Sequence, residues 1–410
     1  SGDESCQVDL ATGVLAFVSA KNSVIVGELQ QLPNVLDNKN FQDSEAVWSR
    51  YSLPEIYHFS AHSLLSSAIA AWPEAPTVLL REHYRCHPKI INFCNQKFYG
   101  GKLIVMTEDH EEPDVLTMYH TTPGNHARGH LNQRQIDVIR EEVLPQLEQK
   151  GYESIGIITP YRDQVAAIQT QLGRNLEVTT VHKFQGREKD AIILTSVDNV
   201  ITDFVDDPRM LNVAVSRAVK SLTVITAQDP QNDRTNYGDL ARYIEYNNCA
   251  VIESSVHSVF DLLYQGYAEQ RRAFLKKHGR VSEYDSENLL YAVIQDILQK
   301  DEFSFVDCVA HVSLVNLVKD YSMLTEEETA YARNLLTHVD FLLFRRMDKS
   351  PLLAVEVDGT AFHNAGSVQA SRDEKKNRIF DLCGIPLLRL RTDGSGEKER
   401  LERELRATIS

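Results

Sequence analysis

Three carboxylates late in the chain have the spacing to share one ion. Glu356 and Asp358 stand two residues apart in Glu356-Val357-Asp358-Gly359. Residues two apart in a strand point to the same face. Asp340 opens an earlier apolar run that reads as the neighbouring strand, so its carboxylate can converge with theirs. Oxygen donors of this kind suit Mg2+ or Mn2+. An ion so held can activate water and stabilise the leaving oxygen in phosphodiester hydrolysis. Glu287, His363 and the basic stretch Arg372-Asp373 with Lys376 complete the set. Taken singly, each has a plainer reading. Glu-x-Asp-Gly is more often a strand end and turn, and His363 a packed or surface histidine. Glu287 can be a solvated helix residue. Asp373 and Lys376, three apart on one helix face, can be a structural ion pair. The order of the set, with Asp340 first and a basic helix last, favours the metal reading.

A second constellation is spread over the first half of the chain. It comprises Asp3-Glu4, the run Gly27-Glu28-Leu29-Gln30-Gln31, Tyr84-Arg85-Cys86-His87-Pro88, Thr180 to Glu188, and Leu211 to Ala218. The chemistry fits a nucleotide held between two domains. An Asp-Glu pair can hold Mg2+ and orient a water for attack. A glutamine after a strand turn can sense the terminal phosphate. Arginines from a second domain, here Arg85 and Arg217, can stabilise charge on a transferring phosphoryl group. Gly186 permits close backbone approach or positive φ. Any one of these arginines alone would be a surface cation. Four clusters in order, each beside an expected strand, point to a site.

The elements that must carry these residues alternate between short apolar runs and amphipathic stretches. Val24 to Gly27, Ser154 to Thr159, Ala191 to Val197 and Leu222 to Ala227 read as buried strands, and Asp163 to Leu172 as a helix. Continuous apolar strands separated by helices imply a parallel sheet covered on both faces. The polar turn cluster Gln228 to Asp233 marks the expected end of that sheet. Ser254 to about Arg280 reads as a helical connector. Glu287 to Leu298, Val339 to Leu343, Leu352 to Val357, Arg372 to Leu382 and Leu387 to Leu390 then give helix, strand, strand, helix, strand. That is a small α/β domain of its own.

Residues Asp3 to Ala227 resemble superfamily 1 helicases, closest to the Upf1-like branch. The resemblance implies that Asp3 holds the metal and Glu4 is the catalytic base. It implies that Gln31 is the motif III glutamine, and that Arg85 and Arg217 reach the phosphates from motifs IV and VI. Gln185, Gly186 and Glu188 are then on the nucleotide side. Tyr161 and Arg162, with Thr180 and His182, are then on the nucleic-acid side. The family usually has Gly-Asp where this chain has Gly27-Glu28, which keeps the charge. No Gly-x4-Gly-Lys-Ser/Thr phosphate loop occurs in the 410 residues. The chain is therefore expected to be a fragment or one half of a split protein, with a P-loop segment as its missing partner. By itself it is expected to be unable to hydrolyse ATP.

Residues Ser282 to Arg391 resemble the PD-(D/E)xK nuclease fold. The branch is that of very-short-patch-repair-like endonucleases and a domain of unknown function found behind helicases. Asp340, Glu356 and Glu287 then match the metal-binding acids. The usual third position holds lysine, and here it is Asp358, so His363 and Lys376 become the replacements.

The fold expected is α/β. Residues 1–80 are the end of a first RecA-like domain and 81–235 the second RecA-like parallel-sheet domain. A helical linker follows over 236–280, and a small restriction-endonuclease-like domain over 281–410. The function implied is an ATP-dependent DNA helicase or translocase coupled to a metal-dependent DNA endonuclease. Two other classes stay open: a non-enzymatic nucleic-acid-binding adaptor, and an ATP-driven remodeller with an inert nuclease-like domain. Composition agrees with soluble globular protein, at 42% hydrophobic and 25% charged residues. The net charge of −15 argues against a general nucleic-acid coat, although contact depends on local basic surface. No apolar run approaches the roughly 20 residues of a membrane span. Six scattered cysteines without a CxxC pair suit a reduced, cytoplasmic chain.

Overall fold

The computed structural model describes residues 8–19, 21–32, 38–124, 126–173, 176–184, 186–359 and 368–409. The chain divides into two compact units. The first holds Ser1–Thr121, Ala127–Gln135 and Glu142–Glu253. The second holds Thr122–His126, Ile136–Glu141 and Ser254–Ser410. No helix among the described residues is long and apolar enough to cross a membrane.

The first unit opens with three helices, α1 (Leu10–Val18), α2 (Asn38–Tyr51) and α3 (Leu64–Ala71). Its body is a six-stranded sheet made of β1 (Leu116–Thr121), β2 (Ile155–Thr159), β3 (Glu177–Thr180), β4 (Lys189–Thr195), β5 (Ala218–Ala227) and β6 (Ala250–Glu253). The spatial order is β6-β1-β5-β4-β2-β3, and every pairing is parallel. Parallel neighbours need crossovers, which helices supply. Here the helical stretch 133–149, α5 (Arg162–Leu172), α6 (Pro208–Val215) and α7 (Asn236–Tyr246) are the main ones, and α4 (Pro88–Phe98) precedes the sheet. Ala191, Ile192, Ile193 and Leu194 of β4 are all fully buried, the mark of a strand covered on both faces. Proline at the first turn and a capping side chain start α4 and α6. Asp207 accepts from the backbone N–H groups of Arg209 and Met210.

The second unit carries a four-stranded sheet of β7 (Val306–Ser313), β8 (His338–Arg345), β9 (Pro351–Asp358) and β10 (Leu387–Arg391), in that spatial order. The first two pairings are antiparallel and the last is parallel. The parallel crossover is a helix, α10 (Val368–Cys383). Two further helices precede the sheet, α8 (Ala268–His278) and α9 (Asp285–Leu298), and α11 (Glu397–Ile409) ends the chain. The strands sort their side chains by alternation. Leu353 and Val355 of β9, with Leu388 and Leu390 of β10, pack with Leu290, Ile294 and Ile297 of α9 and Leu401 and Leu405 of α11. Ala354 belongs to the other cluster, with Ile379 and Phe380 of α10. Glu356 and Asp358 follow Ala354 at even spacing, so they share its face.

Several expectations change. Val24 to Gly27 makes only an isolated bridge at Ile25, and Val24 is 78% exposed. A buried strand needs partners on its edges, and the described residues before Glu82 supply helices but no strand. The parallel sheet does not end near residue 235. The span read as a linker contributes α7 and β6, and β6 pairs with β1. The polar cluster at 228–233 leads into a short 3-10 turn, Pro230–Arg234, between β5 and α7.

Candidate functional site

The Tyr84–Pro88 loop is clamped onto the start of β5. The His87 backbone N–H donates to the Val219 carbonyl at 2.7 Å, and the Cys86 thiol donates to the Ser216 carbonyl at 3.1 Å. Residue 217 lies between those two anchors, so the clamp draws Arg85 and Arg217 into one neighbourhood. Arg85 Nη1 is 3.6 Å from Glu188 Oε2, and the 4% exposed Arg217 donates to the Arg187 carbonyl at 3.4 Å. Burial pushes the Cys86 thiol pKa up, while the charges of Arg85, Glu188 and Arg217 all act on it. Burial, then the Arg85 charge, holds His83 down to about 4. Its neutral Nε2 accepts the Cys86 N–H at 2.9 Å. Two guanidinium groups with one half-exposed carboxylate can meet phosphate oxygens.

The Gly27–Gln31 loop packs on α6, the helix that leads to Arg217. Buried Asn212 donates from Nδ2 to the Gln30 carbonyl and to the Tyr99 hydroxyl, both at 2.9 Å. Burial and then the Glu28 charge raise the Tyr99 hydroxyl above its usual range. Gln31 therefore follows a residue tied to the helix that leads to Arg217. Gly186 has φ of 80°, which glycine adopts without strain. Asp3, Glu4, Gln185 and His363 lie outside the described residues.

Thr180 closes β3 and is buried, and burial lowers the pKa of His182 in the turn that follows. Tyr161 spends its hydroxyl on Asp198 at 3.0 Å and stacks between His130 at 4.2 Å and Phe204 at 5.6 Å. Arg162 begins α5 and is exposed.

His87, Asp109 and Glu112 form a compact group that metal-ligand chemistry would notice, with donor atoms within 4.8 Å of one another. The hydrogen bonds speak against an ion there. His87 Nδ1 accepts the Lys89 N–H at 3.1 Å as the cap of α4. In the neutral ring Nε2 then carries the hydrogen, and it faces Glu112 at 3.2 Å and Asp109 at 3.4 Å. The group is a hydrogen-bonded helix start.

In the second unit, one row of side chains runs across the sheet. Glu356 pairs in register with Arg389 of β10. The Phe341–Val355 and Leu342–Ala354 pairs, extended by one residue, set Asp340 beside Glu356. Glu356 is 4% exposed. One of its oxygens meets the Lys376 ammonium from α10, and the other lies 3.1 Å from Arg389 Nη1. Lys376 also donates to the His338 carbonyl at 2.9 Å. Arg389 Nη1 is shared with Asp358 at 3.1 Å and Asp373 at 3.3 Å. Burial opposes the Arg389 charge, but Glu356, Asp358 and Asp373 outweigh it and raise its pKa. Asp340 accepts the Val357 N–H at 2.8 Å. Burial first, then Glu356 and Glu287, push its pKa up to about 6 against the Val357 bond and Lys376. Glu287 Oε2 is 2.8 Å from His311 Nε2. The structure thus brings Asp340, Glu356, Asp358 and Lys376 together, with Glu287 close enough to act on Asp340. Two residues of this site have no place in the sequence reading, Arg389 and His311.

A parallel α/β sheet with two arginines and a glutamate gathered at one neighbourhood defines a RecA-like domain, followed here by a small α/β domain. Residues 60–229 match the family described as AAA domain, and residues 283–409 match one described as protein of unknown function (DUF2726). The Regulator of nonsense transcripts 1 homolog of Neurospora crassa is 27% identical over 256 residues, 55% of this chain and 21% of that protein. The 5'-3' DNA helicase ZGRF1 of Mus musculus is 30% identical over 244 residues, 54% and 12% respectively. The ATP-dependent helicase upf1 of Schizosaccharomyces pombe is 29% identical over 262 residues, 55% and 25%. The chain spans a quarter or less of these three relatives. Over its first part the chain is similar to ATP-dependent helicases of the Upf1 type.

Proposed function

We propose that this chain supplies the second motor domain of an ATP-dependent DNA helicase or translocase and carries a metal-dependent DNA endonuclease domain behind it. The motor half of the reading rests on the helicase relatives and on the Arg85, Arg217 and Glu188 neighbourhood. ATP with Mg2+ would lie between these arginines and a phosphate loop, with Asp3, Glu4 and Gln31 on the opposite side. The 410 residues contain no such loop, so hydrolysis needs one from a P-loop-bearing segment. Thr180, His182, Tyr161 and Arg162 are the proposed nucleic-acid contacts of a reduced, cytoplasmic enzyme.

The observation that carries the nuclease half is the Asp340–Glu356 row with Lys376 on Glu356. Asp340 and Glu356 offer oxygen donors of the kind a divalent ion takes, but among the described residues the donor atoms of Asp340, Glu356 and Glu287 do not all stand within 4.8 Å of one another. Asp340 is buried near two like charges, Glu356 and Glu287, which a cation close by would offset. Asp340, Glu356 and Glu287 would hold Mg2+ or Mn2+, and the ion, when bound, supplies an activated water and charge neutralisation at phosphorus. Lys376 keeps a positive charge beside Glu356, where it can stabilise a phosphate oxygen. Arg389 fixes Asp358 and Asp373 so that neither competes for that lysine. Asp373 is thereby a partner of Arg389 as well as a neighbour of Lys376, and His363 is a further candidate proton donor.

The test is cleavage of plasmid and single-stranded DNA with Mg2+ or Mn2+ by the full chain, beside Glu356→Gln. Cutting that is lost in the variant supports the reading. A wild type that binds DNA and never cuts it leaves the adaptor. For the motor, DNA-stimulated ATP hydrolysis should appear only when a P-loop domain is supplied. A robust ATPase of the pure chain would refute that part.

A further inference from the structure

Three loops at the carboxyl edge of the parallel sheet each bring one ring to a common stack. His130 lies in a short hairpin, Ala127–Arg128 against Leu131–Asn132, turned at Gly129, whose φ is 57°. Tyr161 follows the end of β2, and Phe204 lies in the loop after β4. The His130 and Tyr161 rings are 4.2 Å apart and 7° from parallel, and the Tyr161 and Phe204 rings are 5.6 Å apart at 27°. In open parallel sheets, ligands bind outside the carboxyl ends of the strands.

Buried amides hold these loops. Asn132 donates from Nδ2 to the Val197 carbonyl at 2.7 Å, and its backbone N–H donates to Gln164 Oε1 at 2.9 Å. Gln135 Oε1 accepts the Val197 N–H at 3.0 Å. Asn132, Gln135 and Gln164 are all fully buried. Val197 is thereby kept at a φ of 64°, an outlier for a β-branched residue. Beside it, Asp198 accepts the Tyr161 hydroxyl at 3.0 Å and the Thr202 hydroxyl at 2.8 Å. Backbone held in this way gathers where side chains must be aimed.

The chemistry left open on the stack defines what it is aimed at. The Tyr161 hydroxyl is engaged by Asp198, and its ring is stacked. His130, with a side chain 63% exposed, and Phe204, 50% exposed, offer the open ring surface. Asp163 Oδ2 lies 3.8 Å from His130 Nδ1, and Asp203 precedes Phe204, so an anion beside either ring is repelled. These faces suit a flat, uncharged base and not a phosphate. Cations for a backbone stand in the same loops, because Arg162 follows Tyr161 and Arg128 is two residues before His130, both exposed. Thr159 pairs with Thr180, so Thr180 and His182 leave the neighbouring strand at the same edge.

We propose that His130 and Phe204 stack against bases of single-stranded DNA while Arg162 meets its backbone. The inference deepens the motor half of the reading, in which Tyr161 and Arg162 contact nucleic acid, and rests on it. Aromatic rings hold single strands by stacking because unpaired bases expose their faces.

The experiment is fluorescence anisotropy of the full chain with a labelled oligothymidylate, beside an abasic deoxyribose-phosphate strand of equal length, over a salt series. His130→Ala and Phe204→Ala should each weaken the thymidylate strand at least about fivefold and leave the abasic strand unchanged. Phe204→Leu keeps apolar bulk without a ring and should bind as weakly as Phe204→Ala. His130→Tyr keeps a flat ring and should bind as wild type does. Circular dichroism checks that each variant is folded. The ring variants should keep the salt slope, whereas Arg162→Ala should reduce it by about 0.7. Equal losses on both strands, full binding by Phe204→Leu, or a duplex bound as tightly as the single strand overturns the stack. A lower slope in Arg162→Ala with undiminished binding by both ring variants sustains the motor reading and sinks the stack. A wild type that binds no single strand, or binding that none of these substitutions alters, sinks both.

Discussion

Replacing Asp340 with asparagine should stabilise the C-terminal unit at neutral pH while ending any metal-dependent activity there. Asp340 titrates at about 6 in the folded chain, against an ordinary value of 3.8. A raised folded pKa means that the native state binds this proton more tightly than the unfolded state. The resulting contribution is favourable and fully present only below the unfolded value in relative terms, and it is lost as pH rises through 6. The gap of about two units, at 1.36 kcal/mol per unit, makes the ionised carboxylate cost about 3 kcal/mol above pH 6. Asparagine keeps an oxygen that can accept the Val357 N–H and carries no charge. The variant should therefore gain up to about 3 kcal/mol at pH 8, with the gain fading between pH 6 and 4. Tryptophan emission is silent here, because both tryptophans, Trp48 and Trp72, lie in the first unit. Amide exchange of peptides covering 338–345 and 351–358, in EDTA and corrected for intrinsic rate, reads the local opening free energy directly. Equal protection of the two proteins at pH 8 would refute the argument, as would a gain that persists unchanged below pH 4. Adding Mn2+ should reverse the ranking, since an ion that binds only the native aspartate stabilises it by mass action.

Three other outcomes follow from the same geometry. Lys376→Met leaves buried Glu356 with Arg389 as its remaining cation, and should cost about 2 kcal/mol of stability and nearly all cleavage, checked by amide exchange over 351–358 and a plasmid assay. Asn212→Ala takes the donor from the Gln30 carbonyl and the Tyr99 hydroxyl at once, and should cost about 1–3 kcal/mol in urea unfolding followed by tryptophan emission. Limited proteolysis should then cut near Glu28 before it cuts within the sheet. Gly156→Ala places a methyl 2.8 Å from Phe184 Cζ and 3.0 Å from Lys189 Cγ, an overpacking worth about 1–3 kcal/mol by the same unfolding curves.

The sequence displayed some of this site and concealed the rest for identifiable reasons. Glu356 and Asp358 could be placed on one face because strand periodicity fixes it, and the structure pairs both with the same arginine. Buried runs such as Ala191 to Leu194 announced the sheet because both of their faces are apolar. Arg389 stayed hidden for the opposite reason. In Leu387-Leu388-Arg389-Leu390-Arg391 the alternation reads as a core face and a solvent face. The second face is instead covered by α10, whose Lys376 and Asp373 take part in the same charge cluster. Burial of charges against charges leaves no apolar signal. β7 carried no strand expectation, because Val306 to Ser313 mixes buried, half-exposed and exposed positions with Asp307 and His311. Its most informative residue breaks the local rule outright, since nothing in a histidine announces a φ of 56°. Local propensity and tertiary demand part company where a side chain must be aimed rather than packed. His311 is such a position. Its strained backbone and its bond to Glu287 are hard to explain by packing, because the ring is substantially exposed.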